Sequence, residues 1–429
     1  MSFRAVKGMN DILPDEVGLW QRLEATFRRA VELCGYAEVR VPAVEHTELF
    51  VRSIGEVTDV VEKEMYTFQH HRDSLTLRPE GTAGVARAFV EHKVYAKQPV
   101  SRWYYLGPMF RAEKPQRGRY RQFYQAGCEI FGDPGPVCDA EMIDMLVAMF
   151  RNLGIEDLTV HVNSLGSAGT RERYRDALLA FLGPRKAELS EHAQARLEKN
   201  PLRILDSKDP RDQKACEGAP SILELLDEAD TEHWNQLQKA LDALGTPYVV
   251  DPGLVRGLDY YTRTLFEVRS GAGELGTQNT LAGGGRYDGM VEDLGGPTVP
   301  AIGFAMGLER ILLAMGDQPA TTEPLCMVLP LGASALGGAL TLARALRRAG
   351  VRTELDGRGN SLKSMLRRAD SLGARACLVL GEAELERGVV QLKDLAAHRQ
   401  DEISLERAVD VVADRLALGG VRRDSEEPA

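Results

Sequence analysis

Apolar residues return at near-helical intervals through residues 15–34, where Leu19, Leu23, Phe27, Ala30 and Val31 share one face. Gly35 ends that run, and residues 36–41 alternate as a strand running into Pro42. Short strand patterns follow near 65–68 and 75–77. Trp103-Tyr104-Tyr105-Leu106 and the stretch from Phe123-Tyr124 to Ile130-Phe131 predict two antiparallel strands, joined by a loop too long for a tight hairpin. A helix over 139–153 and a strand over 158–162 come next. From about residue 171 to about 245 the chain becomes charge-rich and helical in pattern, notably over 171–182 and 221–244, as an inserted segment would. Glycine-rich strands return at 254–269 and 280–287. Residues 302–305 then lead into a helix with Leu308, Ile311, Leu312 and Met315 as its apolar set.

Residues 316–324, Gly-Asp-Gln-Pro-Ala-Thr-Thr-Glu-Pro, have linker chemistry. Beyond them strands at 326–330, 351–355, 376–380 and 389–392 alternate with helices at 335–348 and 361–372, and a helix over 405–416 closes the series. Such alternation predicts βαβ units on a largely parallel sheet. The pattern divides the chain into a domain over 1–320 carrying a helical insertion at 171–250, a second domain over 325–420, and a flexible tail over 421–429.

Composition narrows the class. A chain of 429 residues exceeds one ordinary core. No apolar run approaches the roughly 20 residues that span a bilayer, and Met1-Ser2-Phe3-Arg4 begins no secretory signal. Cys34, Cys128, Cys138, Cys216, Cys326 and Cys377 are scattered without a Cys-x-x-Cys, which fits a reducing cytosol better than a disulfide or zinc framework. The histidines make no metal-ligand spacing, and His70-His71 reads as a surface turn. Net charge is −10, yet Arg344 to Arg375 holds nine Lys/Arg against three Asp/Glu, a local basic stretch suited to an anionic partner.

The densest chemistry lies at Arg111–Arg121, Arg-Ala-Glu-Lys-Pro-Gln-Arg-Gly-Arg-Tyr-Arg, with five cations and one carboxylate between aromatic strands. Guanidinium forks bind phosphate bidentately, so this loop suits a triphosphate or a nucleic-acid backbone. No phosphate-binding P-loop occurs. Gly271-Ala-Gly-Glu-Leu-Gly276 matches a dinucleotide pattern, but no helix follows to present its N-terminus, so it reads as a turn between antiparallel strands. Leu77-Arg-Pro-Glu-Gly-Thr82 sets a carboxylate and a hydroxyl beside a turn. Leu254-Val-Arg-Gly-Leu-Asp-Tyr-Tyr261 sets Arg256 in an aromatic strand. Ala282-Gly-Gly-Gly-Arg-Tyr-Asp288 permits close backbone approach, and Gly303-Phe-Ala-Met-Gly-Leu-Glu-Arg310 brings Arg310 to a helix start. Singly, each could be an ordinary turn or surface ion pair.

Taken together, these segments resemble the histidyl-tRNA synthetases over nearly the whole chain. Pro42, the stretch from Phe110-Arg111-Ala-Glu113 to Phe123, and Gly303–Arg310 match the three class II motifs. Leu254–Tyr261, Ala282–Gly289 and the run from Ile54 to Phe68 resemble the histidine-specific signatures. The resemblance implies an α+β fold: a class II antiparallel sheet flanked by helices, a helical insertion, and a C-terminal α/β anticodon-binding domain. It implies a cytoplasmic homodimer, dimerising through the motif at Pro42, that takes L-histidine, ATP with Mg2+, and tRNA(His). It also implies roles. Arg111 would hold the α-phosphate, and Arg256 would bridge that phosphate and the histidine carboxylate, as the catalytic pair. Arg119 and Arg310 would bind the outer phosphates, Phe123 would stack on adenine, and Glu113 would meet the adenine amino group. Glu80, Thr82 and Gln125 would hold the α-ammonium. Glu129 and Tyr261 would bond the two imidazole nitrogens, with Tyr260 and Tyr287 lining the pocket. One alternative is a non-catalytic paralogue serving as the regulatory subunit of ATP phosphoribosyltransferase; the intact arginines and the C-terminal domain speak against it. Another is a class II enzyme for a different amino acid, against which Glu129 and Tyr261 favour imidazole.

Overall fold

The computed structural model describes residues 3–55, 58, 60–256, 260–271, 275, 279–316, 318 and 324–417. Two compact units emerge, 1–320 and 321–429. The first is built on an eight-stranded sheet. Its order is Ala37–Glu38, Ser101–Phe110, Gln122–Phe131, Ala301–Gly307, Thr280–Arg286, Thr262–Ser270, Leu158–Ser164 and Tyr248–Val250. Neighbours are antiparallel except at the two edges, where the short outer strands run parallel.

The apolar face expected near the N-terminus forms the helix Val17–Leu33, which buries Leu23, Phe27 and Val31. With the helices Pro136–Asn152 and Glu228–Leu244 it makes the largest core cluster, centred on Ile143, Leu146, Phe150, Phe266 and Val268. A second cluster joins Phe89 of the helix Thr82–Glu91 to Phe131, stacked at 4.3 Å between centroids. A small antiparallel sheet (Val44–His46, Asp73–Leu77, Tyr66–His70) turns at His71, whose φ is +54°.

Three sequence expectations need correction here. The strand expected at 36–41 reduces to Ala37–Glu38, because only those residues pair with the Ser101–Phe110 strand. The strand expected from 254 starts at Thr262; Leu254 and Val255 are instead buried against helices, so their apolar character marks packing. The helical segment opens at Ala168 and contains short turns of helix before Glu228–Leu244. Ser167, Ser190, Asp209, Ser221 and Asp227 each cap a helix start through the side chain, as these residue types prefer. That segment is the crossover between the Leu158–Ser164 and Tyr248–Val250 strands, and parallel neighbours require one.

Beneath the sheet lies a buried ionic group. Arg286 and Asp139, both 0% exposed, pair through two hydrogen bonds, Nε at 2.9 Å and Nη2 at 2.7 Å. Thr264 donates to the same carboxylate, the carbonyls of Asp133 and Gly135 each accept from the guanidinium, and Asp288 lies 3.5 Å from Nη1. His233 sits 3.6 Å from Asp139, yet burial and the nearby Arg286 and Arg263 push its pKa down to about 3. Asp139 is already neutralised by Arg286, so the ring stays neutral. The unfolded chain binds a proton near pH 6.5 that the folded chain refuses, so stability is complete above that pH and falls below it. About 2 kcal/mol should be lost between pH 7.5 and pH 5 from this residue. His233→Gln should flatten that acid limb in urea titrations; an unchanged slope would remove His233 as its cause.

The second unit carries a five-stranded sheet in the order Thr353–Leu355, Leu325–Leu331, Ala374–Gly381, Val389–Asp394, Arg399–Ser404. The largely parallel sheet expected for it is mixed. The first three strands are parallel and the last two form an antiparallel hairpin. The strand Arg399–Ser404 went unforeseen because its Arg-Gln-Asp-Glu-Ile-Ser sequence is that of a polar edge. Leu325–Leu331 is apolar throughout because both faces are covered: Cys326 and Val328 face one core cluster, Met327 and Leu329 the other. The closing helix is Ala408–Ala417, entered by a single turn at Leu405–Arg407. The expected tail, and most of the expected linker, lie outside the described residues.

Candidate active site

The first unit holds a cavity of about 600 Å³. Its cationic part begins at the Ser101–Phe110 and Gln122–Phe131 strands, paired from Ser101↔Phe131 to Phe110↔Gln122. Past their ends Arg111 N–H donates to the Arg121 carbonyl at 2.8 Å, and the loop folds into a tight turn bridged at Gln116 and Arg119. The loop expected to be too long for a tight hairpin thus carries a tight turn of its own at Gln116–Arg119. Arg111 donates Nε to the Pro79 carbonyl at 2.9 Å and lies over the Phe123 ring at 5.2 Å. Arg119 meets Glu113 at 3.5 Å. Arg310 sits in the first turn of the helix Leu308–Met315 and donates to the Thr280 carbonyl. Burial, and then the neighbouring Arg119, lower its pKa to about 10. Concentrated cations raise one another's cost, which an anionic ligand would relieve.

Arg256 is held differently. Its Nη1 meets Glu267 Oε1 at 2.5 Å, while Glu267 Oε2 accepts from Arg269 at 3.0 Å and from Thr280 at 3.1 Å. The guanidinium lies on the Thr280–Arg286 strand, where a Cβ on Gly283 would collide with Nη1. The glycine run thus makes room for this arginine as well as for a ligand.

The other part of the cavity is polar, buried and aromatic. Along the Gln122–Phe131 strand, Phe123, Gln125, Gly127 and Glu129 share a face by alternation. Glu80 is 4% exposed and accepts the Thr82 and Ala83 N–H groups, both at 2.8 Å. Burial nevertheless lifts its pKa. Gln125 Oε1 is buried without a partner among the described residues. Tyr260, Tyr261 and Tyr287 form a chain of ring contacts at 4.6 Å and 5.6 Å.

Among the residues expected at a site, Glu80, Thr82, Arg111, Glu113, Arg119, Phe123, Gln125, Arg256, Tyr260, Tyr261, Tyr287 and Arg310 all line this cavity. Glu129 is set apart from it. It is 0% exposed, accepts the Thr82 hydroxyl at 2.7 Å, and accepts the Tyr287 hydroxyl as well. Burial holds its pKa well above the carboxylate range. It faces Gly303 across the sheet, where any Cβ would collide with its Oε2.

Other lining residues escaped sequence reasoning: Glu267, Arg269, Asp206, Lys208 and Glu309. Glu309 directly precedes Arg310 and accepts the Tyr124 N–H at 2.9 Å, and burial raises its pKa to about 7. Its place beside a flagged arginine was the available signal. For Glu267 the only local cue was Arg269 two residues on, along the same strand face. Gly257, Leu258 and Asp259 of the first signature, and most of the glycine-rich Gly271–Gly276 stretch, lie outside the described residues.

Comparison with known proteins agrees with this geometry. A family model described as histidyl-tRNA synthetase matches residues 8–311, and one for an anticodon binding domain matches residues 325–415. A histidine–tRNA ligase from Sorangium cellulosum is 66% identical over 415 residues, covering 97% of this chain and 97% of the relative. One from Syntrophotalea carbinolica is 49% identical, over 95% of this chain and 97% of its own. Among solved structures, the apo histidyl-tRNA synthetase of S. aureus superposes with a TM-score of 0.81 at 35% identity, covering 96% of this chain and 99% of that one. These matches do not favour the regulatory-paralogue alternative. The chain belongs to the histidyl-tRNA synthetase family.

Proposed function

We propose that this chain joins histidine to ATP as histidyl-adenylate, releasing pyrophosphate, and then passes the histidyl group to the 3′-terminal ribose of tRNA(His), releasing AMP. One observation carries the reading: a single cavity combines the arginines 111, 119, 256 and 310 with a buried polar pocket whose Gln125 acceptor has no partner among the described residues. A buried acceptor left open in a ligand cavity is best explained by a donor that arrives with the substrate.

In the first step a carboxylate attacks the α-phosphorus in line, so two anions must be brought together. Fixed cations offset their repulsion and the charge that grows in the transition state. Arg111 and Arg256 take the α-phosphate, with Arg256 also on the histidine carboxylate. Glu267 holds Arg256 by Nη1, and the other guanidinium hydrogens would serve the substrate. Arg119 and Arg310 take the outer phosphates. Phe123 carries Arg111 on one face, so adenine would stack on the other, near Glu113. Among the described residues no group of three or more His, Cys, Asp or Glu side chains could hold a metal. Mg2+, which the family implies, would come with ATP and supply charge neutralisation at its phosphates.

Glu80, Thr82 and Gln125 would hold the α-ammonium. The imidazole needs one donor and one acceptor partner. Tyr261 supplies one, and the Glu129–Tyr287 pair supplies the other, with Glu129 acting through the Tyr287 hydroxyl it binds. Glu129→Ala should raise the histidine KM roughly 10- to 100-fold, since Tyr287 and Thr82 lose a buried partner. The ATP KM should stay within about twofold. Equal losses for both substrates would move Glu129 out of the imidazole pocket.

The second unit would read the tRNA through the 344–375 stretch. There Arg358 pairs with Asp356 and Arg368 with Glu354, while Arg344, Arg348, Lys363 and Arg367 are among its exposed cations. We place a homodimer contact at the motif around Pro42 and the enzyme in the cytoplasm, as the family implies; among the described residues no helix is long and apolar enough to cross a membrane. Charging of a tRNA(His) transcript with labelled histidine tests the whole sequence of steps. Histidyl-tRNA is expected, and a well-folded protein that charges none would overturn the reading.

A further inference from the structure

We propose that the helical segment over residues 168–244 is a positioning element of the active site: Arg203 and Arg171 grip the main chain at Arg256 and Tyr261, and thereby aim the phosphate-binding cation and the imidazole-binding hydroxyl. The proposal rests on the function assigned above and adds a role for residues outside the cavity's recognised set.

Arg203 Nη1 donates to the Arg256 carbonyl at 2.9 Å. Arg171 Nη1 donates to the Tyr261 carbonyl at 3.0 Å. Two guanidinium groups from one segment therefore hold two backbone carbonyls five positions apart. Neither Arg256 nor Tyr261 belongs to a strand, because regular pairing begins at Thr262. Without such holds, the side chains of Arg256 and Tyr261 would inherit the freedom of a loop, and placement within about half an ångström is what catalysis needs.

Two further contacts point the same way. Leu254, Val255 and Tyr261 share one buried cluster with Tyr174, Leu178 and Ile222 of the segment, so the stretch is pinned by packing too. Immediately after it, Arg263 adopts a left-handed backbone, φ +42°, unusual for a residue with a Cβ. Its N–H donates to the Gly166 carbonyl and its own carbonyl accepts from Leu165, while its guanidinium meets Asp230 at 3.1 Å. Asp230 is fully buried and also accepts the Ser167 N–H and the Thr170 hydroxyl, which tie it to the start of the segment's first helix. A strained residue over-determined by its surroundings is a device found at sites that need fixed geometry.

A purely structural role would stitch segment to sheet and affect all steps alike. The positioning role predicts a split, because the two arginines hold residues with different tasks. Arg203→Ala should lower kcat for histidine-dependent ATP–pyrophosphate exchange about 10- to 100-fold, with the histidine KM within about twofold, as expected when a transition-state group is displaced. Arg171→Ala should raise the histidine KM about tenfold, with kcat within about threefold, as expected when a ground-state binding group is displaced. Arg203→Lys, which keeps a donor but loses the fork, should fall between wild type and Arg203→Ala, and carries the test alone if the alanine variant does not fold. Among the described residues Arg185 is held only within the segment, by the Ala215 and Glu217 carbonyls and the Phe181 ring; Arg185→Ala should leave both constants unchanged. Wild-type constants in both the Arg203 and Arg171 variants would overturn the proposal. So would a parallel fall of both constants tracking lost thermal stability. Absence of exchange in the wild-type enzyme itself would instead bring down the assigned function, and this inference with it.

Discussion

Arg256→His is expected to slow adenylate formation by at least about 10²–10³-fold, the usual loss when one preorganised transition-state donor is removed. Three features make this residue the sharpest probe. Its guanidinium is fixed by Glu267 and lies directly on the Gly283 backbone, so it costs no reorganisation when charge develops. Imidazole is largely neutral at pH 7 and cannot make a planar fork, so neither charge nor geometry is replaced. The fold should survive, because Glu267 keeps its bonds from Arg269 and Thr280 and is not left as an isolated buried charge. Single-turnover quench measurements read the chemical step directly. A near-wild-type rate in a folded variant would remove Arg256 from its role.

Asp139→Ala is expected to have the largest effect on stability, about 3–5 kcal/mol, because it leaves the fully buried Arg286 cation only the more distant, part-exposed Asp288 at 3.5 Å as a charged partner. Replacing both partners with apolar residues, Asp139→Leu with Arg286→Met, should cost clearly less than the sum of the single changes. Tryptophan fluorescence in urea isolates the relevant unit, since the three tryptophans, Trp20, Trp103 and Trp234, all lie within residues 1–320. The pair has a functional side as well: Arg286 precedes Tyr287, and its hydrogen bonds to Asp139, Asp133, Gly135 and Cys138 fix the strand end from which Tyr287 reaches Glu129. A loss below about 1 kcal/mol for Asp139→Ala would mean that the site relaxes or hydrates, and that the pair does not anchor the strand.

Much of this site is legible in the amino-acid sequence, for a physical reason. A triphosphate demands several cations, and cations clustered among aromatic strands stand out in a sequence, as they do from Arg111 to Arg121. Glycines that admit a guanidinium or a carboxylate stand out too, as at Gly283 and Gly303. What stayed hidden depends on pairing across long separations. Arg203 meets Arg256 53 residues away and Arg171 meets Tyr261 90 residues away, and neither spacing leaves a periodic trace. Glu129 entered only through the family resemblance, and its burial behind Tyr287 is a tertiary fact. The fold divides the same way. Amphipathic helices such as Val17–Leu33 and the doubly covered Leu325–Leu331 strand carry their periodicity openly. The polar edge strand Arg399–Ser404 buries too little to show itself, and Leu254-Val255 imitates a strand because packing on helices selects the same apolar residues.

The central claim is that one cavity activates histidine, and histidine alone, with ATP. ATP–pyrophosphate exchange with each of the twenty amino acids in turn tests it most directly. The account predicts exchange with histidine and none above background with the other nineteen, because a buried site built from Glu129, Tyr261 and Tyr287 leaves its polar groups unpaired around any side chain other than imidazole. Exchange with a different amino acid, or with none from well-folded protein, would contradict it.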